Sequence, residues 1–121
     1  MHEFGLCEGI IDAVERRADG RRVAGVRVRV GTLHRVVEAA LTQAFELVSA
    51  GTVADGAAIE LVVVPVRAGC EACGHETESA DPVAVCAGCG STEVEMLTGD
   101  ELLLESIRLV ADLSVSTERV D

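Results

Sequence analysis

Two matched stretches of the chain read Cys70-Glu71-Ala72-Cys73-Gly74 and Cys86-Ala87-Gly88-Cys89-Gly90. Each has the spacing C-x-x-C followed by glycine, and twelve residues separate the two pairs. Pairs of this kind can bring four thiolates to one tetrahedral Zn²⁺. Glycine after the second cysteine permits the positive φ that such a turn often needs. The sequence therefore predicts one Zn(Cys)₄ site with the ligands Cys70, Cys73, Cys86 and Cys89.

The predicted zinc site is structural, because four protein ligands leave no open coordination position for a substrate. Two redox-active C-x-x-C motifs, or pairs of buried thiols, are the alternatives, and the doubled motif with its glycines disfavours both. His75 follows Cys73 closely, and we interpret it as a donor to the ligands or a solvated loop residue rather than a ligand. Cys7, on the apolar face of a predicted helix, is expected to be a buried thiol.

Composition narrows the class of partner. The 121 residues carry a formal net charge of -11, from 21 acidic and 10 basic side chains. A protein that binds a phosphate backbone needs the opposite field, and with Phe4 and Phe45 as its two aromatic residues the chain has no platform for stacking bases. The longest apolar run, 59–66, is broken by Glu60 and Pro65 and is too short to span a bilayer. We therefore expect neither a nucleic-acid partner nor a membrane, and instead cations or basic surfaces.

Hydrophobic periodicity indicates two helices and three strands. Val26, Val28 and Val30 alternate with Arg27 and Arg29, which is typical of a half-buried strand. The full prediction, in chain order, is helix 4–18, strand 23–30, helix 35–50, strand 59–67, cysteine segment 68–97 and strand 101–109. The second strand is the most apolar, so we expect it to be central. It should pair antiparallel with the third, because the two flank the cysteine segment like the arms of a hairpin.

The predicted fold class is α+β, with two helices packed on a three-stranded β-sheet. A zinc-ribbon insert lies between the second and third strands. The predicted domains are 1–67 plus 98–112 for the α+β domain and 68–97 for the zinc ribbon. Residues 113–121 are polar and are expected to form a flexible tail.

The amino terminus is a second candidate metal site. The α-amine of Met1, the deprotonated amide of His2 and its imidazole can form adjoining chelate rings around one ion, and the amide of Glu3 could supply a fourth nitrogen. Square-planar nitrogen ligation suits Ni(II) or Cu(II) rather than Zn(II). A solvated His2 and a Glu3 that merely favours the first helical turn are the alternatives, and the residues by themselves leave both open.

The chain resembles the HypA/HybF family of hydrogenase nickel-insertion proteins over roughly residues 1–110. The opening Met1-His2-Glu3-Phe4, joined to two C-x-x-C-G motifs, is the most specific part of this resemblance. The other matching segments are Leu6-Cys7-Glu8, Val26-Arg27-Val28, Gly31-Thr32-Leu33, 51–57 and Gly99-Asp100-Glu101-Leu102.

The resemblance implies a small metallochaperone with two metal sites. The sequence has no phosphate loop, nucleophile–base pair or open catalytic zinc site, so we expect no enzyme, and the C-x-x-C pairs without an export signal favour a reducing cytoplasm. Glu3 and the α-amine of Met1 are the further candidate nickel ligands that the chelate geometry offers. The resemblance itself implies Ni(II) at His2, matches Glu3 to the glutamate that follows this histidine in the family, and implies Zn(II) at Cys70, Cys73, Cys86 and Cys89. It also implies two partners, the nickel-binding GTPase HypB and the large subunit of [NiFe]-hydrogenase, and for some members the urease maturation proteins. An acidic third residue, in place of the basic start of a secretory signal, agrees with a cytoplasmic location.

Two other functions fit parts of the sequence. A zinc-ribbon binding module in a nucleic-acid or transcription complex fits the cysteines, although the acidic charge opposes it. A thiol oxidoreductase would use the C-x-x-C pairs as free thiols and carry no stoichiometric zinc.

Overall fold

A computed structural model of the chain describes residues 2–110. The predicted tail at 113–121 lies outside the described residues. The elements are α1 (His2–Ala18), β1 (Val23–Gly31), a 3₁₀ turn (Thr32–His34), α2 (Glu38–Ser49), β2 (Ala58–Val64), β3 (Val66–Cys70), β4 (Glu76–Ser79), β5 (Val94–Thr98) and β6 (Leu102–Leu109). The predicted α+β class is confirmed.

Both helices form where the apolar spacing predicts them. In α1 the side chains of Cys7, Ile10, Ile11 and Val14 are buried at helical intervals. The helix ends at Ala18, after which Asp19 (φ 52°) and Gly20 (φ 82°) leave the right-handed helical region.

The second helix begins three residues later than predicted. Thr32–His34 form the 3₁₀ turn, and Arg35 then takes the left-handed conformation with φ 52° and ψ 45°. Its N–H donates to the Thr32 carbonyl, which closes the turn and prevents an α-helix from starting there. Helix α2 therefore begins at Glu38, with Val37 as its N-cap residue.

Contacts divide the chain into two compact units. Within the described residues, the first comprises 2–28, 36–61 and 104–110, and the second comprises 29–35 and 62–103. The predicted domain boundaries, 1–67 plus 98–112 against 68–97, stay a prediction.

The core of the first unit joins both helices to β1 and the end of β6. Its fully buried side chains include Val14 of α1, Leu41 and Phe45 of α2, and Val28 of β1. Apolar burial of this kind is the main favourable term in folding. It explains how an acidic chain with two aromatic residues still forms a packed core.

The larger sheet has the strand order β2-β1-β6, so the predicted positions of its strands were wrong. The strand expected to be central, now β2, lies at the edge, and β1 separates it from β6. Burial accounts for the difference, because Val23, Val26, Val28 and Val30 of β1 are all 4 % exposed or less, while Val63 of β2 is 57 % exposed. β6 runs antiparallel to β1, since Val110 bonds to Arg22 before β1 and Gly31 bonds to Glu101 before β6.

A second sheet, with the order β4-β3-β5, lies in the second unit. The predicted strand 59–67 is divided at Pro65, and the later part, β3, belongs to this sheet. Both partners pair antiparallel to β3, with Gly69 opposite Glu76 of β4 and Cys70 opposite Val94 of β5. The sheet brings the first cysteine pair to the end of β3 and the second pair to the segment before β5.

Candidate metal centres

The two cysteine turns have the same backbone hydrogen bonds. In the first, the N–H of Gly74 donates to the Cys70 carbonyl (2.8 Å) and the N–H of Cys70 donates to the His75 carbonyl (2.9 Å). The second turn repeats both bonds with the equivalent residues, Gly90 to Cys86 (2.9 Å) and Cys86 to Ser91 (2.8 Å). The sequence repeat C-x-x-C-G is therefore a repeat of local structure.

The glycine that ends each turn is required by its backbone conformation. Gly74 has φ +80° and Gly90 has φ +79°. No heavy atom outside their chain neighbours lies within 4 Å of the position that a Cβ would take at either residue. Space is therefore available, and the positive φ is what favours glycine here.

The four sulfur atoms lie close enough to share one metal ion. The Sγ atoms of Cys70 and Cys89 are 3.6 Å apart, as are those of Cys73 and Cys86. All four lie within 4.8 Å of one another. A tetrahedral Zn²⁺ with Zn–S bonds of about 2.3 Å holds its sulfurs about 3.8 Å apart. The cluster therefore fits a structural Zn(Cys)₄ site, and it brings together all four predicted ligands.

The first cysteine of each pair, Cys70 or Cys86, has a lowered pKa. The backbone N–H groups of Gly88 and Cys89 point at the Cys86 sulfur, at 3.3 and 3.4 Å. The N–H of Cys89, followed by that of Gly88, lowers the pKa of Cys86 to about 6 against the opposing effect of burial. The N–H of Cys73 likewise lowers the pKa of Cys70. These two residues supply thiolates readily, as zinc ligation requires.

The second cysteine of each pair has a raised pKa. The N–H of His75 lowers the pKa of Cys73, but bonds to the Cys89 and Cys86 sulfurs, together with burial, raise it to about 12. The N–H of Ser91 lowers the pKa of Cys89, but the sulfur atoms of Cys70 and Cys86, together with burial, raise it, and the net shift is upward. Neighbouring thiolates repel further negative charge, and a divalent cation would relieve this repulsion and displace the remaining protons.

His75 packs beside the cluster and is not part of it. The described residues contain one group of three or more His, Cys, Asp or Glu ligand atoms, and its members are the four cysteines. The His75 ring instead lies against Gly88 of the opposite turn, where a Cβ would approach its Cγ to 3.4 Å. Its position supports the interpretation that His75 is not a zinc ligand.

Cys7 is a buried thiol, as predicted. Its side chain is 0 % exposed and donates to the carbonyl of Leu41 at 3.6 Å. Burial, reinforced by the charge of Glu3, raises the pKa of Cys7 to about 11. The residue therefore acts as a core side chain that joins the two helices.

The first two described residues of the amino terminus differ sharply in exposure. The His2 side chain is 54 % exposed and that of Glu3 is 10 % exposed, with His2 Nδ1 3.5 Å from Glu3 Oε1. The Glu3 carboxylate also accepts hydrogen bonds from two backbone N–H groups, its own and that of Val37. The bond from its own N–H lowers the pKa of Glu3 most. Burial opposes this, and the bond from Val37 and the charge of His2 lower the pKa further. Met1, the predicted source of the α-amine ligand, lies outside the described residues.

The bond from Glu3 to Val37 is the site feature that the sequence analysis missed. Val37 is apolar, and the bond uses its backbone, so residue type gave no signal. A usable signal was the absence of Ser, Thr, Asp or Asn before α2, because a helix start without a local cap needs an acceptor from elsewhere.

His34 is the remaining histidine, and it lies in the second unit. Its Nε2 donates to the Asp100 carbonyl at 2.9 Å, which secures the end of the 3₁₀ turn.

Neither helix within residues 2–110 combines the length and apolarity that a bilayer-spanning helix requires.

Comparison with known proteins gives one consistent result. Residues 1–109 match the family model described as "Hydrogenase/urease nickel incorporation, metallochaperone, hypA". Among curated relatives, "Hydrogenase maturation factor HypA" of Nitrosospira multiformis is 36% identical over 113 residues, covering 91% of this chain and 98% of the relative. "Hydrogenase maturation factor HypA 2" of Bradyrhizobium diazoefficiens is 38% identical over 112 residues, covering 90% and 99%.

Two solved structures have the same fold. The solution structure of the Ni metallochaperone HypA from Helicobacter pylori matches with a TM-score of 0.64 and 23% identity, covering 88% of this chain and 96% of the other. A second, titled "Solution structure of HypA protein", matches with a TM-score of 0.67 and 25% identity, covering 92% and 98%. A zinc-ribbon module of a nucleic-acid complex is therefore not favoured. With its four-cysteine cluster and its match across residues 1–109, the chain belongs to the HypA family of nickel-incorporation metallochaperones.

Proposed function

We propose that this chain binds Ni(II) at its amino terminus, through His2, and delivers it to a nickel enzyme during hydrogenase maturation. The exposed His2 imidazole is the observation that carries the proposal, because a cargo ligand must be reachable by the recipient. Its Nδ1 can close a six-membered chelate ring with the amide nitrogen of the same residue. A site at the end of the chain also lets the ligands be exchanged without opening the core.

The proposed nickel ligands are His2, the α-amine of Met1 and, in the fourth position, Glu3 through its amide nitrogen. Nitrogen ligands in a plane suit Ni(II) and discriminate against Zn(II), which prefers a tetrahedral site with soft ligands. The two metals would thus be separated by chemistry. Nickel takes the nitrogen-rich terminus, and zinc takes Cys70, Cys73, Cys86 and Cys89.

The proposed zinc site has a structural role, and the protein is proposed not to be an enzyme. Four thiolates complete the coordination of zinc and leave no position for an activated water. Metal binding of this kind contributes directly to folding free energy. The short strands of the second sheet, four residues in β4 and five in β3 and β5, are the elements that it would stabilise.

The proposed partners are the nickel-binding GTPase HypB and the large subunit of [NiFe]-hydrogenase, in the cytoplasm. Urease maturation proteins are further candidates, since the matching family model names both enzymes. A net charge of -11 favours cationic cargo and basic recipient surfaces.

Calorimetric titration of Ni(II) into zinc-loaded protein tests the proposal. The protein must have an untagged amino terminus, because a fusion before Met1 removes the α-amine. We expect one nickel site that His2→Ala abolishes while zinc content is unchanged. His34→Ala is the matched control and should bind nickel normally, because its ring bonds to a backbone carbonyl in the other unit. An unaltered nickel isotherm in His2→Ala would refute the assignment.

A further inference from the structure

Glu3 is an acid in an unusually buried position for the start of a helix. The residue is 8 % exposed, although it directly follows the half-exposed His2. A carboxylate taken out of water must find hydrogen-bond donors, because an unpaired buried charge is costly. Its bonds therefore indicate its role.

One hydrogen-bond donor to the Glu3 carboxylate lies at the start of α2. The carboxylate accepts the backbone N–H of Val37, the N-cap residue of α2. The first N–H groups of a helix lack partners within the helix. In many helices a Glu at the third helical position reaches back to the N-cap N–H. That position in α2 is Ala40, and the Val37 side chain forms no cap bond, so Glu3 supplies the missing acceptor from α1.

A second bond between the helices follows one turn later. Cys7 lies four residues after Glu3, on the same face of α1, and its Sγ donates to the carbonyl of Leu41. Leu41 lies four residues after Val37, and its N–H makes the first helical bond to the Val37 carbonyl at 2.9 Å. Glu3 and Cys7 thus form two successive links from α1 to the first turn of α2.

We propose that the Glu3 side chain is a positioning group and not a nickel ligand. It caps α2 through Val37 and thereby fixes the first turn of α1, which carries His2. The inference rests on the proposed nickel site at His2. It changes the role of Glu3 there, because the carboxylate is used by the protein and any contribution of Glu3 to nickel comes from its backbone nitrogen. If that nitrogen binds nickel, its own N–H bond to the carboxylate is given up and the bond from Val37 remains.

Three variants distinguish a Glu3 side chain that caps α2 from one that binds nickel through its carboxylate. Glu3→Gln keeps an acceptor oxygen for the Val37 N–H but removes the carboxylate. Glu3→Ala removes both. Val37→Pro removes the donor and leaves Glu3 intact; its side chain is 60 % exposed, and its φ of -91° lies near the range of proline.

The readouts are nickel affinity and the Ni(II) d–d absorption band of zinc-loaded, untagged protein. Glu3→Gln should bind nickel within about threefold of the parent. Glu3→Ala and Val37→Pro should each lose about tenfold in affinity, equivalent to ~1.4 kcal/mol and within the range of a helix cap, with the band maximum unchanged because the ligands are the same. A carboxylate ligand would instead give a shifted band in Glu3→Gln and normal binding in Val37→Pro, and this result would overturn the proposal.

Hydrogen exchange at the Val37 amide tests the cap independently of nickel. In metal-free protein the amide should exchange about tenfold faster in Glu3→Ala than in the parent or in Glu3→Gln. Equal rates in all three would reject the cap even if nickel binds at His2. Conversely, a normal nickel isotherm in His2→Ala refutes the nickel site at His2. The exchange rate of the Val37 amide still shows in that case whether Glu3 caps α2.

Discussion

The backbone of Gly99 occupies the space that any side chain on Gly31 would need. A Cβ on Gly31 would collide with the Gly99 carbonyl group and the Asp100 nitrogen. Gly31 itself has φ -73° and ψ 148°, which any residue adopts. Space, rather than backbone conformation, therefore requires glycine at this position.

Gly31→Ala should destabilise the protein by about 3 kcal/mol, because two backbone segments must separate to admit the methyl group. Urea unfolding of zinc-loaded protein measures the change. Gly9→Ala is the control, since no heavy atom beyond its chain neighbours and the adjacent helix backbone lies within 4 Å of its Cβ position, and alanine is the better helix former by about 1 kcal/mol. Equal stability of Gly31→Ala and the parent would contradict the close approach.

Two neighbouring positions of α2 should differ strongly on truncation. Phe45 is 1 % exposed in the core, so Phe45→Ala should lower the free energy of unfolding by about 3–5 kcal/mol. Leu47 is 62 % exposed, and Leu47→Ala should change it by about 0.5 kcal/mol or less. Chemical denaturation of both variants tests the assigned helix face, and similar losses in the two would show that the face is wrong.

Zinc content should depend on the clustered cysteines and not on Cys7. Cys86→Ala removes one of four ligands, so the purified protein should lose stoichiometric zinc, and the amide signals of residues 66–98 should lose their dispersion. Cys7→Ala should retain one zinc per chain, because this thiol bonds to a helix carbonyl. Elemental analysis and NMR spectra make the comparison, and a full zinc complement in Cys86→Ala would disprove the four-sulfur site.

Cys7 should be the slowest thiol to alkylate. The folded core blocks access to Cys7, which is 0 % exposed, and burial, reinforced by the charge of Glu3, raises its pKa to about 11, so its thiolate is also scarce at neutral pH. The pKa of Cys73 is raised further, but this sulfur is exposed, and alkylation of the neighbouring sulfurs that raise its pKa removes their effect. After chelation of zinc, iodoacetamide should modify four cysteines rapidly and Cys7 only when denaturant is added. Mass spectrometry of the partly labelled protein identifies the order, and early labelling of Cys7 would contradict its burial.

The raised pKa of Cys7 also predicts how the stability of the protein varies with pH. The unfolded thiol loses its proton near its ordinary pKa of 9.0, whereas folded Cys7 keeps it up to about 11. The stabilising contribution of Cys7 is therefore complete below pH 9 and is lost as pH rises toward 11. The difference in unfolding free energy between the parent and Cys7→Ala should shrink over this interval, and a constant difference would rule out the shift.

The sequence predicted the elements whose pattern is carried by many residues. The apolar spacing of α1, the alternation in β1 and the repeated C-x-x-C-G turns each use several positions, so all three were identified. The ends of elements were less predictable. Arg35 interrupts the approach to α2 by adopting positive φ, which the residue type does not indicate.

Strand order could not be obtained from apolarity alone. The apolar run of β2 suggested a central strand, yet its exposed Val63 belongs to an edge strand. The second sheet gave little signal, because its short strands contain Gly69, Glu76 and Glu78 and depend on the cysteine turns for their position. At the amino terminus, sequence identified His2 and Glu3, but the bond to Val37 depends on tertiary packing.

The four sulfurs of the zinc cluster are not equally accessible. Cys70 and Cys86 are buried, whereas Cys73 and Cys89 are exposed, so each turn contributes one protected and one accessible sulfur atom. Oxidants, electrophiles and competing thiophilic metals would reach the second cysteine of each pair first. Damage to the site should therefore begin at Cys73 or Cys89, and the loss of either sulfur as a ligand should release zinc, as the loss of Cys86 does. Oxidation that stops at the sulfenic acid can still be reversed by thiols, whereas further oxidation cannot.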